Sequence, residues 1–166
     1  MTTAVLRPDG LLRLGGFVFR AAFGQGGITR DKREGDGATP AALLPLRRVL
    51  YRADRIRPPP VCAVPIEPIA PTDGWCDDPD DTAYNRMVTL PHAASHEELW
   101  RADGLYDVIG VLGWNDAPVT RGRGSAIFLH VARPDMAPTA GCVALSLADL
   151  RTLLGAGLTA IDIRLD

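Results

Sequence analysis

Proline and glycine interrupt this chain so often that a long helix has nowhere to form. The 166 residues hold 14 prolines and 17 glycines. Proline removes a backbone donor and clashes with the preceding helical turn, while glycine supplies the conformations that tight turns need. The segment "RPPPVCAVPIEPIAP" therefore reads as extended edge structure. "VLR" turns through Pro8-Asp9-Gly10 into "LLRL", and "FVFRAAFG" follows Gly15-Gly16, a run of short strands. "LLPLRRVLYRAD" and "RMVTLP" are strand-like, and "LYDVIGVLGWN" and "SAIFLHVA" are the strongest buried-strand candidates. The closing "LTAIDIRLD" alternates as a strand, and "GQGGITRDKREGDGATPAA" reads as a long ordered loop. Two short helices are predicted. In "SHEELWR", Ser95 and Glu98 have the spacing of a capping box. In "SLADLRTLLGAG", Ser146 caps, Leu147, Leu150, Leu153 and Leu154 line one face, and Gly155 or Gly157 ends the helix. The expected fold is a mostly β, β-rich α+β domain with short helices, a single unit spanning residues 1–166.

Charge narrows the partners. The net charge of −2 and a pI near 5.9 argue against a nucleic-acid binder that neutralises phosphates. Lys32 is the only lysine among many arginines, a bias that genomic base composition would also produce. No stretch is long and apolar enough to predict a transmembrane segment. The N-terminus lacks the basic and apolar regions of a secretory signal, so the expectation is a cytoplasmic protein, an atypical export route or a trimmed form. Cys62, Cys76 and Cys142 are either all free thiols, or Cys62 pairs with Cys76.

Four constellations could carry chemistry. His130 ends a buried strand and Cys142 follows a turn, so the chain can double back and bring the imidazole to the sulfur. A thiol beside such a base is expected to have a depressed pKa and to act as a nucleophile, against the alternative of a buried thiol with a core histidine. Gly141 before it lets the N–H groups of Gly141 and Cys142 face an oxyanion. His92 and His96 have an i, i+4 spacing, but Ser95 places His92 ahead of the predicted helix, so no metal is expected. Asp77, Asp78, Asp80 and Asp81 lack the spacing of a calcium loop; a solvated loop, or a carboxylate that recognises a substrate amine, remains. "KREGDGATP" matches no phosphate-binding fingerprint.

Taken in order, "EGDGATP", "GWCDDP", "YNR", "SHEELW", "LYDV", "GRGSAIFLH" and "PTAGCVAL" resemble the L,D-transpeptidase catalytic domain (YkuD-type), in a divergent proteobacterial branch. The likeness runs from about Gly24 to Leu154. Two departures stand out: Ala140 replaces the histidine usual before the glycine, and Val143-Ala144-Leu145 replaces the polar residue usual after the cysteine. The resemblance implies a YkuD-like β-sandwich and a Cys142 nucleophile with His130 as base, its ring oriented by the Val131 carbonyl. It implies peptidoglycan stem peptides as substrate, cleaved between meso-diaminopimelate and D-alanine, with a periplasmic or cell-envelope location. No cofactor is implied, and a monomer is expected. Arg123, between glycines, is the candidate for a stem carboxylate. Thr139, Asp77, Asp78, Tyr84 and Trp75 are further candidates for substrate contact, with Trp100 and Tyr106 as possible cleft walls or core residues.

Overall fold

A computed structural model describes residues 1–166. Turn residues cut the chain into fourteen strands and one helix, in the order β1 (Thr3–Leu6), β2 (Leu11–Leu14), β3 (Phe17–Arg20), β4 (Ile28–Thr29), β5 (Thr39–Pro40), β6 (Leu43–Tyr51), β7 (Ile66–Pro68), β8 (Asp73–Cys76), β9 (Met87–Thr89), β10 (His96–Glu98), β11 (Val108–Leu112), β12 (Phe128–Val131), β13 (Val143–Leu145), α1 (Leu147–Gly155) and β14 (Ala160–Ile163). The main sheet runs β13-β12-β11-β6-β14-β1-β2-β3, with β7 beside β6. Ala22, just past β3, bridges Ala144 of β13 through paired backbone hydrogen bonds of 2.8 and 2.9 Å, so the two ends of the sheet nearly meet. The result is the expected β-rich sandwich.

Strand alternation divides the interior in two. On β12 and β13, Leu129, Val143 and Leu145 enter the larger cluster, with Leu6, Leu12, Val49 and Ile161. Their neighbours Phe128 and Cys142 face a smaller cluster built on Trp75, Tyr106, Ile109 and Val111. Both faces of β11 are therefore buried, as its unbroken run of aliphatic residues predicts. The C-terminal helix forms as predicted: Ser146 Oγ accepts from the Asp149 N–H, and Leu150, Leu153 and Leu154 are buried. Gly157, at φ 87°, follows its end.

The second predicted helix does not form. His96–Glu98 is instead the strand β10, paired antiparallel to β8 with His96 opposite Cys76 and Glu98 opposite Gly74. Three short strands, β10-β8-β9, make a separate small sheet. Cross-strand pairing outweighs the local capping signal there, and Ser95 uses its carbonyl to accept from the Asp77 N–H. Trp100 accordingly lies on no helix; it is half-buried, with the Arg52 guanidinium 3.5 Å above its ring. All three cysteines are free, so Cys62 and Cys76 do not pair.

One buried polar side chain ties the long N-terminal loop to the turn before β13. Thr39 has no exposed surface; its Oγ1 accepts from the Gly24 N–H and donates to the Gly141 carbonyl, each at 2.8 Å. Valine keeps the shape but leaves that donor and acceptor unpaired. Thr39→Val is expected to lower the unfolding free energy by about 2–4 kcal/mol, read by urea denaturation; a change below about 0.5 kcal/mol would contradict this role.

Candidate active site

Parallel pairing of β12 with β13 sets Leu129 against Val143 and His130 against Ala144. One residue earlier in that register, Cys142 falls beside Phe128. Since side chains alternate, Phe128, His130, Cys142 and Ala144 share one face, and the histidine and the thiol lie on neighbouring strands of it. The doubling back expected from the sequence is thus present. Thr139 shapes the turn: its Oγ1 donates to the Cys142 carbonyl at 2.6 Å and accepts from the Gly141 N–H at 3.1 Å. Gly141 sits at φ 142°, and a Cβ there would lie 2.9 Å from the Ala38 carbonyl oxygen, so only glycine fits without a shift.

The sulfur is held by backbone. Cys142 Sγ accepts from the Phe128 N–H at 3.3 Å and donates to the Ala126 carbonyl at 3.2 Å. Burial, and next the Glu97 carboxylate, push the thiol up to about 12, while the Phe128 N–H and Lys32 pull the other way. This reverses the depressed pKa expected from the sequence: desolvation of a thiolate outweighs its neighbours. His130 is 6% exposed, and burial holds its pKa below the usual imidazole value, so the ring is neutral at pH 7. Its Nδ1 pairs with the Val131 carbonyl at 2.9 Å, as the family likeness implies. A neutral ring that donates there carries its lone pair on Nε2. Tyr106 meets the ring edge to face at 5.3 Å, and its hydroxyl donates to Glu97 Oε2 at 2.7 Å.

Two cavities open on Cys142. One, of about 210 Å³, has Arg101, Tyr106, His130, Arg133 and Thr139 in its wall. The other, of about 290 Å³, is walled by Lys32, Glu34, Asp77, Ser95 and Gly141. Glu97 borders both. Burial raises the pKa of Glu34 and of Glu97. One oxygen of Asp77 is buried with no hydrogen-bond partner. A larger cavity of about 410 Å³, with Arg47, Arg86 and Trp114 in its wall, contains neither Cys142 nor His130.

Several expected site residues lie elsewhere. Arg123 is exposed and borders neither cavity at the thiol; its carbonyl accepts from Trp114 Nε1 at 2.8 Å. Glycines on both sides of Arg123 serve a turn, and the arginines near the thiol are Arg101 and Arg133. Tyr84 is buried, and its hydroxyl accepts from the Gly124 N–H at 3.0 Å, so it braces the approach to β12 and walls no cleft. Trp75 is a core residue, edge-on to Phe128 and donating to Asn85 Oδ1 at 3.0 Å. Asp78 Oδ1 accepts from the Asp80 N–H at 2.9 Å and shapes its own turn. The Gly141 N–H is spent on Thr139, which leaves the Cys142 N–H, with no protein acceptor, for an oxyanion.

Other participants were less visible in the sequence. Lys32 is 2% exposed, bonded to Asp36 and to the Arg33 carbonyl at 2.8 Å; a lone lysine in an arginine-rich chain was the signal. Glu34 accepts from Ser125 Oγ. Asn85 is a buried hub: Oδ1 accepts from Trp75 and the Ala126 N–H, and Nδ2 donates to the Trp114 and Asn115 carbonyls. Compared with known families, residues 4–159 match YkuD, described as the L,D-transpeptidase catalytic domain. The chain belongs to this family. No curated protein matches it. The match includes His130 and Cys142 with the strands that carry them, and leaves out residues 1–3 and 160–166.

Within this L,D-transpeptidase domain the resting thiol is protonated. Because thiolate is the species alkylated, the iodoacetamide labelling rate of Cys142 is expected to rise about tenfold per pH unit from pH 7 to 10, without a plateau. Peptide mapping by mass spectrometry follows the residue; a plateau below pH 8 would show a thiolate already formed at rest.

Proposed function

We propose that the protein is a cysteine acyltransferase acting on peptidoglycan stem peptides, an L,D-transpeptidase of the cell envelope. The observation that carries this reading is the shared strand face of Cys142 and His130, with a neutral imidazole whose Nδ1 is held by Val131. The family supplies the substrate class.

The chemistry starts from a neutral pair. As a stem-peptide carbonyl approaches, the Cys142 proton passes to His130 Nε2 and the sulfur bonds to the carbonyl carbon. The Cys142 N–H faces the oxyanion; one such donor is worth about 3 kcal/mol. The C–N bond breaks, His130 returns the proton to the departing D-amino acid amine, and a thioester remains. An acceptor amine then gives a proton to His130, attacks the thioester carbon and restores the thiol. Proton transfer waits for substrate, so the elevated resting pKa of Cys142 protects the thiol without preventing its use.

Charge around the sulfur suits two kinds of ligand group. Arg101 and Arg133 on one side fit the carboxylate of the leaving residue. Glu34, Asp77 and Glu97 on the other fit a protonated amine, which loses its proton before it attacks. A held amine favours cross-linking over hydrolysis, because it competes with water at high local concentration.

His130→Ala is expected to lower D-alanine release at least about a hundredfold with an unchanged circular dichroism spectrum; activity within a few-fold of wild type would mean another base serves. With tetrapeptide muropeptides at high concentration, the wild type is expected to yield dimers. Asp77→Asn should lower dimers more than released D-alanine, and Asp78→Asn should leave that ratio near wild type, both read by mass spectrometry. Only shortened monomers from the wild type would make the protein an L,D-carboxypeptidase using the same thiol.

A further inference from the structure

A cluster of metal-ligating atoms lies outside the residues used above. The Cys76 Sγ, one carboxylate oxygen of Asp81 and one ring nitrogen of His92 all fall within 4.8 Å of one another. Cys76 ends β8 and has no exposed surface. Asp81 lies in the turn that follows, and His92 in the segment leading to β10, so three separate stretches of chain converge. The imidazole nitrogen that faces the carboxylate, 3.7 Å from Asp81 Oδ1, is buried and has no hydrogen-bond partner. A buried polar atom left in that state carries an unrecovered desolvation cost, and a ligand that accepts its lone pair removes it.

We propose that Cys76, Asp81 and His92 bind a divalent transition-metal ion of the zinc class. The donor set is one thiolate, one imidazole and one carboxylate, which suits zinc or cobalt and not calcium or magnesium, whose sites are all oxygen. Bonds of about 2.0–2.3 Å in a tetrahedron put neighbouring ligand atoms roughly 3.3–3.8 Å apart. The three atoms thus need to close by only about 1 Å, with a water in the fourth position. The surroundings already orient one of the ligands: Asp81 Oδ1 accepts from the Ala83 N–H at 2.7 Å. Such an outer contact fixes a ligand for a metal.

The ion is structural. Strands β8, β9 and β10 have only three or four residues each, so few ladder hydrogen bonds join that sheet. A metal joining its strand, turn and lead-in segment fastens the part of the chain that carries Asp77 and Glu97, and binding free energy becomes folding free energy. This inference does not depend on the reaction proposed above.

Cobalt(II) is the probe, used with a Cys62→Ser/Cys142→Ala protein so that Cys76 is the sole thiol. Stoichiometric binding is expected, with a near-ultraviolet thiolate-to-cobalt band and the visible bands of tetrahedral cobalt. Zinc should displace the cobalt and raise Tm by several degrees. His92→Ala and Asp81→Asn, each in that protein, should weaken binding at least tenfold, and Cys76→Ala should abolish the near-ultraviolet band. No band and no Tm shift in the parent protein would overturn the proposal. So would binding that His92→Ala and Asp81→Asn leave unchanged, which also serves if Cys76→Ala fails to fold.

Discussion

The site depends on one hydroxyl group placed where water cannot reach it. Thr39 joins two pieces of chain distant in sequence, Gly24 at one end of a long loop and Gly141 before the cysteine. Because both of its bonds are buried, neither can be exchanged for water at small cost. The loop is thereby held against the turn, and Lys32 and Glu34, which it carries, arrive beside Cys142. Close approach is possible because the facing positions are glycines: a Cβ on Gly24 would lie 2.4 Å from the Gly37 carbonyl oxygen. Thr139 repeats the device on a smaller scale within the turn.

Electrostatics near the sulfur follow from that enclosure. A preformed thiolate needs full solvation or a cation in contact, and the half-buried Cys142 has no cation against its sulfur: its neighbours are a backbone carbonyl, a backbone N–H and an apolar cluster. Lys32 acts from a distance, its ammonium already committed to Asp36. The same burial keeps His130 uncharged. Two groups that would form an ion pair in a wetter cleft are thus held in their neutral forms, and a neutral base is the form that can accept a proton.

Much of this was legible in the residues. Alternation and β-branched runs marked β11 and β12, and the Ser146 cap with its leucine face marked α1, because those signals are local and the tertiary structure agrees with them. The proximity of His130 to Cys142 followed from one strand, one turn and the next strand. The Ser95–Glu98 pattern misled because a capping box cannot register that β8 has an unpaired edge to fill. Once the segment is extended, Glu97 reaches Tyr106 and the thiol cavities, a role invisible from a helical reading. Arg123 misled for the opposite reason: its side chain type suited a carboxylate, but the fold uses its backbone. Tyr84 looked like a cleft residue and proved to be an internal brace, since nothing in a short motif separates a ring that faces a ligand from one whose hydroxyl meets a backbone amide.

The bridge between Ala22 and Ala144 reaches beyond packing. β13 is the last strand on its side of the sheet, and it leads directly out of the cysteine turn. An open strand margin there would offer a row of free amides and carbonyls to any extended chain, including the peptide that the thiol is meant to receive or another copy of the protein. With Ala22 occupying the N–H and carbonyl of Ala144, that margin is already filled. An incoming peptide must therefore be gripped by side chains and the cavity walls rather than by adding itself to the sheet, which makes recognition here a matter of the ligand's charge and shape and not of its backbone.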